Sequence, residues 1–174
     1  QLMELVDPSV LYSQHHNPGT VGEIWRRHHQ KFYEFIAQHE PKNILEVGGA
    51  TGSLASLFLR AGKDIHWTVI EPSLKLAIDD PRMSCIQGFF EEHSFEQKFD
   101  AVVHSHVFEH VYDPYKFLLK VRDLLDKGQS QYIAIPNMKY WFEQGYNGIL
   151  HFEHTYYVDE AVLEALLNRT GFVI

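Results

Sequence analysis

The stretch Asn43-Ile-Leu-Glu-Val-Gly-Gly-Ala-Thr-Gly52 decides how the rest of the chain is read. Ile44–Val47 is a short apolar run with the length and branching of a buried strand, and it ends in glycines. Gly48, Gly49 and Gly52 stand where that strand gives way to a helix. Without Cβ atoms the backbone can approach a ligand closely there, and the N–H groups that open a helix attract polar groups. Glycines also occupy such junctions for steric reasons alone, so the turn needs a second feature before it means binding. Glu71 supplies one. It follows the next β-branched run, His66–Ile70, and lies 19 residues beyond Gly52. An acid at that place can accept hydrogen bonds from both hydroxyls of a ribose.

Outward from this unit, strand-like and helix-like stretches alternate. Ser84–Gln87 reads as a third strand, Phe99–Ser105 as a fourth and Gln131–Pro136 as a fifth. Helices are expected from about Gly52 to Ala61, from near Ser73, and from Asp113-Pro114 through Phe117, Leu118, Val121, Leu124 and Leu125 to Gly128. Another runs from Asp159 through Leu163, Leu166 and Leu167 to Gly171. Upstream, Thr20-Val-Gly-Glu23 has the capping-box spacing, and Val21, Ile24, Trp25, Phe32, Phe35 and Ile36 follow as one apolar stripe. Residues before about Pro18 read as irregular.

Strands separated by helices of this length need crossover connections, which predicts an α/β fold with a doubly wound, mostly parallel sheet. Residues 1–40 form a lead-in and cap helix, and residues 41–174 the core. Phe172-Val-Ile174 reads as the beginning of a sixth strand. With the later strands of such a sheet missing, the fifth strand is left as an open edge. It is expected to pair with a second copy in a homo-oligomer, be covered locally, or aggregate.

Composition bounds the function. The 174 residues, 45% apolar and 22% charged, suit one soluble domain with a real core. A net charge of −8 argues against nucleic acid as a partner. No apolar run is long enough for a bilayer, and the first residues have no basic region of a signal peptide, so no membrane partner is expected. The lone Cys85 excludes internal disulfides and fits a reducing compartment, so a cytoplasmic location is expected.

Leu45-Glu-Val-Gly-Gly-Ala-Thr-Gly52 resembles motif I of class I methyltransferases dependent on S-adenosyl-L-methionine (SAM), whose usual form is L-E-[IV]-G-C-G-x-G. Ala50 stands where the middle glycine is usual. Phe99 to Pro114 is similar to motif IV and the turn after it, and the likeness extends over roughly residues 42–174. The resemblance implies SAM as cofactor and a small-molecule acceptor. Glu46 would help hold the loop and the methionine end, Gly48, Gly49 and Gly52 would face the carboxypropyl group, and Glu71 would take the ribose. Phe89, where the family usually has Asp, would pack on adenine, and Ser105 would complete the cofactor contacts. A dehydrogenase would need G-x-G-x-x-G, which this turn does not provide.

Twelve histidines remain to be placed. His104 and His106 are expected to project from one face at the end of the fourth strand, with His110 a turn further. His151 and His154 flank Glu153 after the fifth. Hydrogen bonding, metal binding and general-base catalysis compete as explanations. No cysteine partners and no H-x-x-x-H helix accompany these residues, so no metal is expected. Glu-His-Val-Tyr-Asp-Pro after strand four, paired with Phe-Glu-His-Thr-Tyr-Tyr after strand five, looks like the sugar C-methyltransferases. Those enzymes methylate C3 of nucleotide-linked 4-keto-6-deoxy sugars. The resemblance implies that His154, Glu153 and His110 are catalytic, with Tyr12, Tyr156 and Tyr157 as candidates to line the acceptor pocket. The cysteine-rich zinc domain and the C-terminal domain of those enzymes are not in this chain. An O- or N-methyltransferase, and a SAM-binding module without turnover, are the alternatives.

Overall fold

A computed structural model describes residues 8–12, 22–62, 64–74, 78–146 and 153–174. Five strands form one sheet: β1 (Asn43–Val47), β2 (His66–Glu71), β3 (Met83–Gln87), β4 (Phe99–Ser105) and β5 (Leu125–Ala134). Their spatial order is β3-β2-β1-β4-β5, and every pairing is parallel. The helices are α1 (Pro8–Tyr12), α2 (Glu23–Ala37), α3 (Ser53–Arg60), α4 (Pro114–Leu124), α5 (Met138–Glu143) and α6 (Glu160–Arg169). A single 3-10 turn spans Phe108–His110.

The strand period of two divides the sheet's side chains between two cores. Ile44, Trp67, Val69, Ala101 and Val103 point to one face, where α2 contributes Phe32 and Ile36 and α3 contributes Leu54, Ala55, Phe58 and Leu59. Leu45, Val47, Ile70 and Val102 point to the other, against Phe117, Leu118, Val121 and Leu124 of α4 and Leu167 of α6. Both sides are covered, so the strands read as nearly continuous apolar runs rather than alternating ones.

Several boundaries differ from the sequence reading. α4 stops at Leu124, and Leu125 is already extended. β5 pairs Leu125 with Phe99, leaves the ladder through exposed residues 126–129, and resumes with Ser130 opposite Ala101. Gly128, at φ 91°, lies in that detour and does not end the helix. The expected sixth strand is absent, because Phe172 is used to close α6. Gly171 has φ 90°, its N–H bonds Asn168, and the Phe172 N–H reaches back to Leu167. These two bonds form a Schellman cap, which turns the chain off the strand path.

Pro8–Tyr12 is helical where irregular chain was expected. Thr20 of the capping box lies outside the described residues, and α2 starts from Gly22 with no side-chain cap. Its stripe is narrower than read, since Ile24 is 82% exposed and Phe35 54%. The helix near Ser73 falls partly on residues 75–77, outside the described set; 72–73 form a turn and 78–82 hold no helix.

Phe117 sits at the centre of the α4 core, with ring centroids 4.9 Å from Phe90 and 6.0 Å from Phe108. Truncating it leaves a cavity that these stiff neighbours cannot close. Phe117→Ala is expected to cost about 3–5 kcal/mol, read as a lower urea midpoint at unchanged slope.

Candidate active site

The cofactor residues named from the sequence come together at the carboxyl ends of neighbouring strands. The Gly48 N–H bonds Ile70 at 2.9 Å, joining the end of β1 to the end of β2. Gly48 and Gly52 both have φ 73°, a left-handed conformation that suits glycine. A Cβ on Gly49 would stand 2.7 Å from Val69 Cγ1 and 3.1 Å from Glu46 Oε2, so that position admits no side chain. Ala50 is also left-handed, at φ 44°, and carries strain that the glycine usual in the motif avoids.

Glu46 lies beneath this turn, buried, with Oε2 accepting from the Trp67 indole N–H at 2.8 Å. Burial pushes its carboxyl up to about 7; the Trp67 bond opposes that rise and the Glu71 charge adds to it. Glu71 is 9% exposed at the end of β2 and accepts from Ser73 N–H at 2.9 Å and Ala50 N–H at 3.3 Å. A carboxylate has about four lone-pair sites, so two remain for the hydroxyls of a ribose. Gly88 N–H bonds the Glu71 carbonyl at 3.2 Å, which sets half-buried Phe89 beside the same strand end. Ser105, at the end of β4, has its hydroxyl 2.7 Å from Nε2 of His28 on α2. Sequence spacing did not single out His28. Burial lowers its pKa to about 4, helped by His106 and His29 nearby.

The histidines separate into different surroundings. His104 does not face the cleft. It is fully buried against Phe108 and Phe117, its Nε2 2.7 Å from Gln131 Nε2, and burial lowers its pKa to about 4. His106 leaves the strand with φ 54°, which turns its ring toward Trp25 and His28 at 4.9 and 5.2 Å between centroids. Adjacent even-numbered residues thus diverge because the strand ends between them. His151 lies outside the described residues.

His110, Glu153 and His154 do come together. The 3-10 turn and the segment after residue 153 are tied by Thr155, whose N–H bonds Glu109 O at 2.8 Å and whose hydroxyl bonds Val111 O at 2.6 Å. His110 Nδ1 lies 3.0 Å from the Glu153 carbonyl and 2.9 Å from the Tyr12 hydroxyl. A carbonyl only accepts, so Nδ1 of His110 carries the proton and the lone pair is on Nε2. The His110 and His154 rings meet at 4.9 Å, nearly perpendicular. The Tyr156 hydroxyl donates to Tyr112 O at 2.5 Å, a packing role, while Tyr157 lies 5.6 Å from the His154 ring.

Sequence reasoning missed Glu109. It is 3% exposed, yet its carboxyl is held below its usual value: burial alone would raise it, and His106 and His110 outweigh that. Ligand atoms of Glu109, His110 and His154 all lie within 4.8 Å of one another. A signal was present, because Phe-Glu-His occurs twice, at 108–110 and 152–154.

The family described as "Methyltransferase domain" matches residues 15–174, and the chain belongs to it. It is a methyltransferase domain on a Rossmann-like sheet. No curated protein matches the sequence. Among solved structures it resembles an O-methyltransferase so described from Nostoc punctiforme PCC 73102, at TM-score 0.66 and 12% identity over 86% of this chain and 51% of that one. The plantazolicin methyltransferase BpumL, solved with a pentazolic desmethylPZN analogue and SAH, matches at TM-score 0.62 and 18% identity over 79% and 58%. The glycopeptide N-methyltransferase MtfA matches at 0.51 and 21% over 60% and 52%. The chain thus spans little more than half the length of these three proteins. No helix among the described residues is long and apolar enough to cross a membrane.

Glu46 gives this site a pH signature. Its folded pKa lies above the unfolded value near 4.5, so its contribution is full below that value and is lost as pH rises through about 7. The loss amounts to at most about 3 kcal/mol at 1.36 kcal/mol per unit. Because buried His28 and His104, with pKa values lowered to about 4, gain stability over the same range, the Glu46 contribution is read by difference: between pH 5 and pH 7.5 the parent is expected to lose urea stability relative to Glu46→Gln.

Proposed function

We propose that this domain transfers the methyl group of SAM to a small polar acceptor held between the 3-10 turn and the segment after residue 153. The observation that carries this reading is the packing of two Glu-His pairs, 109–110 and 153–154, beside a strand end that neighbours the glycine turn. The leading acceptor is C3 of a nucleotide-linked 4-keto-6-deoxy sugar, from the resemblance of both segments to sugar C-methyltransferases.

When bound, SAM supplies an electrophilic methyl on a sulfonium. The protein's part is to hold both partners in line and to free the acceptor's electron pair. Glu71 accepts from the ribose, the Gly48–Gly52 backbone admits the methionine end, and Glu46 keeps that backbone in place. Phe89 offers a face to adenine, and Ser105 with His28 closes the β4 side. At the acceptor, a ketone acidifies the neighbouring C–H, and His154 takes the proton. Glu153 holds His110 through its carbonyl, and its carboxylate serves either to orient His154 or to bond the sugar.

An O- or N-methylated acceptor is the second reading, favoured by the named acceptor chemistries of structures sharing the fold, a glycopeptide N-methyltransferase among them. A binding module without turnover would keep the cofactor half alone.

Glu71→Ala removes hydrogen bonds to a charged group, each worth roughly 1.5–3 kcal/mol. Calorimetric SAM affinity is expected to fall at least about tenfold; unchanged affinity would remove Glu71 from the site. His154→Asn is expected to lower turnover about 10²–10⁴-fold with SAM affinity intact, because the base acts only on the acceptor. Glu153→Gln should cost less. Full turnover in His154→Asn moves the base to His110. A product methylated on oxygen or nitrogen replaces the sugar-carbon reading with the second one.

A further inference from the structure

Both oxygens of Glu109 are buried without accepting a hydrogen bond from any described group. His106 Nδ1 stands 3.2 Å from Oε1, at ion-pair distance but outside hydrogen-bonding geometry. The imidazoles of His106 and His110 favour the charged form of this carboxyl over its burial, so Glu109 presents an ionised carboxylate whose lone pairs suit a cation. Near it are His110 and His154, each partly exposed, so solvent reaches the group through its imidazoles.

We propose that Glu109, His110 and His154 form a binding site for a divalent transition-metal cation of zinc's kind, and that filling it halts proton removal at the acceptor corner. The inhibitory half rests on the proposed function; the binding half does not. Two imidazoles and one carboxylate are a donor set that zinc uses with a fourth position left open. Borderline metals take imidazole readily, whereas magnesium and calcium prefer all-oxygen shells.

Donors held about 2.0–2.2 Å from one ion lie up to about 4 Å apart. The present limit of 4.8 Å therefore closes with small side-chain rotations. The Glu153 carbonyl at His110 Nδ1 is the outer contact that fixes a metal-binding ring and directs its lone pair to Nε2. Sequence spacing pointed away from a metal because the ligands are neither cysteines nor one turn apart. Only the fold joins residues 109–110 to 154. An ion there takes the imidazole lone pairs that would otherwise accept the acceptor's proton. No bond in the acceptor is made or broken in this step.

The test is calorimetric titration of the full chain, free of any histidine tag, with zinc chloride and separately with magnesium chloride. One zinc per chain with a Kd of about 10 μM or tighter, and no magnesium uptake, is expected of such a set. Glu109→Gln should weaken zinc at least about tenfold while SAM affinity is unchanged. His154→Asn should do the same, which keeps the test intact where a Glu109 variant folds poorly. His39→Gln, at an exposed site, should bind zinc like the parent. Zinc uptake indifferent to Glu109 and His154, or abolished instead by His28→Gln with His29→Gln, overturns the site. In a methyl-transfer assay, stoichiometric zinc should suppress turnover reversibly to a chelator, with SAM still bound. Zinc that occupies the site without lowering turnover overturns the inhibition, and with it the assignment of proton removal to His154.

Discussion

A carboxyl group shut beneath a glycine turn sets the terms for the cofactor half of this domain. Glu46 occupies a strand position that faces an apolar core, and the indole N–H of Trp67 makes that burial tolerable. Its oxygen in turn fills the space where a side chain at residue 49 would have to go. The turn is therefore narrow from below as well as from above, where Val107 closes on Gly48. Three requirements meet at one point: a polar group that needs a partner, a backbone that must stay bare, and strand ends that must lie level. The parallel register supplies the last, since β1 is clamped between β2 and β4.

Much of this was legible in the sequence. Strands announce themselves when both faces are buried, and Ile44–Val47 and Phe99–Ser105 were read nearly to the residue. Boundaries failed where a local rule met a tertiary one. Gly128 looked like a helix end, but α4 had already run out of core to cover at Leu124. Phe172 looked like strand, but its apolar ring served better against the α6 core than in a ladder. Histidine placement was the least legible. His104 and His106 have the spacing of one face, and a single left-handed residue separates them into core and cleft.

Glu109 illustrates why acceptor chemistry resists reading from one dimension. Nothing in its neighbourhood along the chain says that it is buried, and its imidazole partners arrive from two directions. The repeated Phe-Glu-His tripeptide was visible, yet repetition alone does not place two copies in contact. What joins them is Thr155, bonded to the backbone of both Glu109 and Val111.

The two halves of the site differ in how much chain must be organised before each exists. The glycine turn, Glu46, Trp67 and Glu71 are bound by contacts across 21 residues, made within one strand–helix–strand unit. The acceptor corner is closed by bonds across 43 to 46 residues, and by Tyr12 reaching His110 across 98. Loops of greater span cost more entropy to close, and contacts of that kind tend to form late and open first. The cofactor half can thus stand as a preassembled cradle while the corner that receives the acceptor comes and goes. In such a molecule the order of assembly is also an order of risk: the part that chooses what is methylated is the part most easily undone.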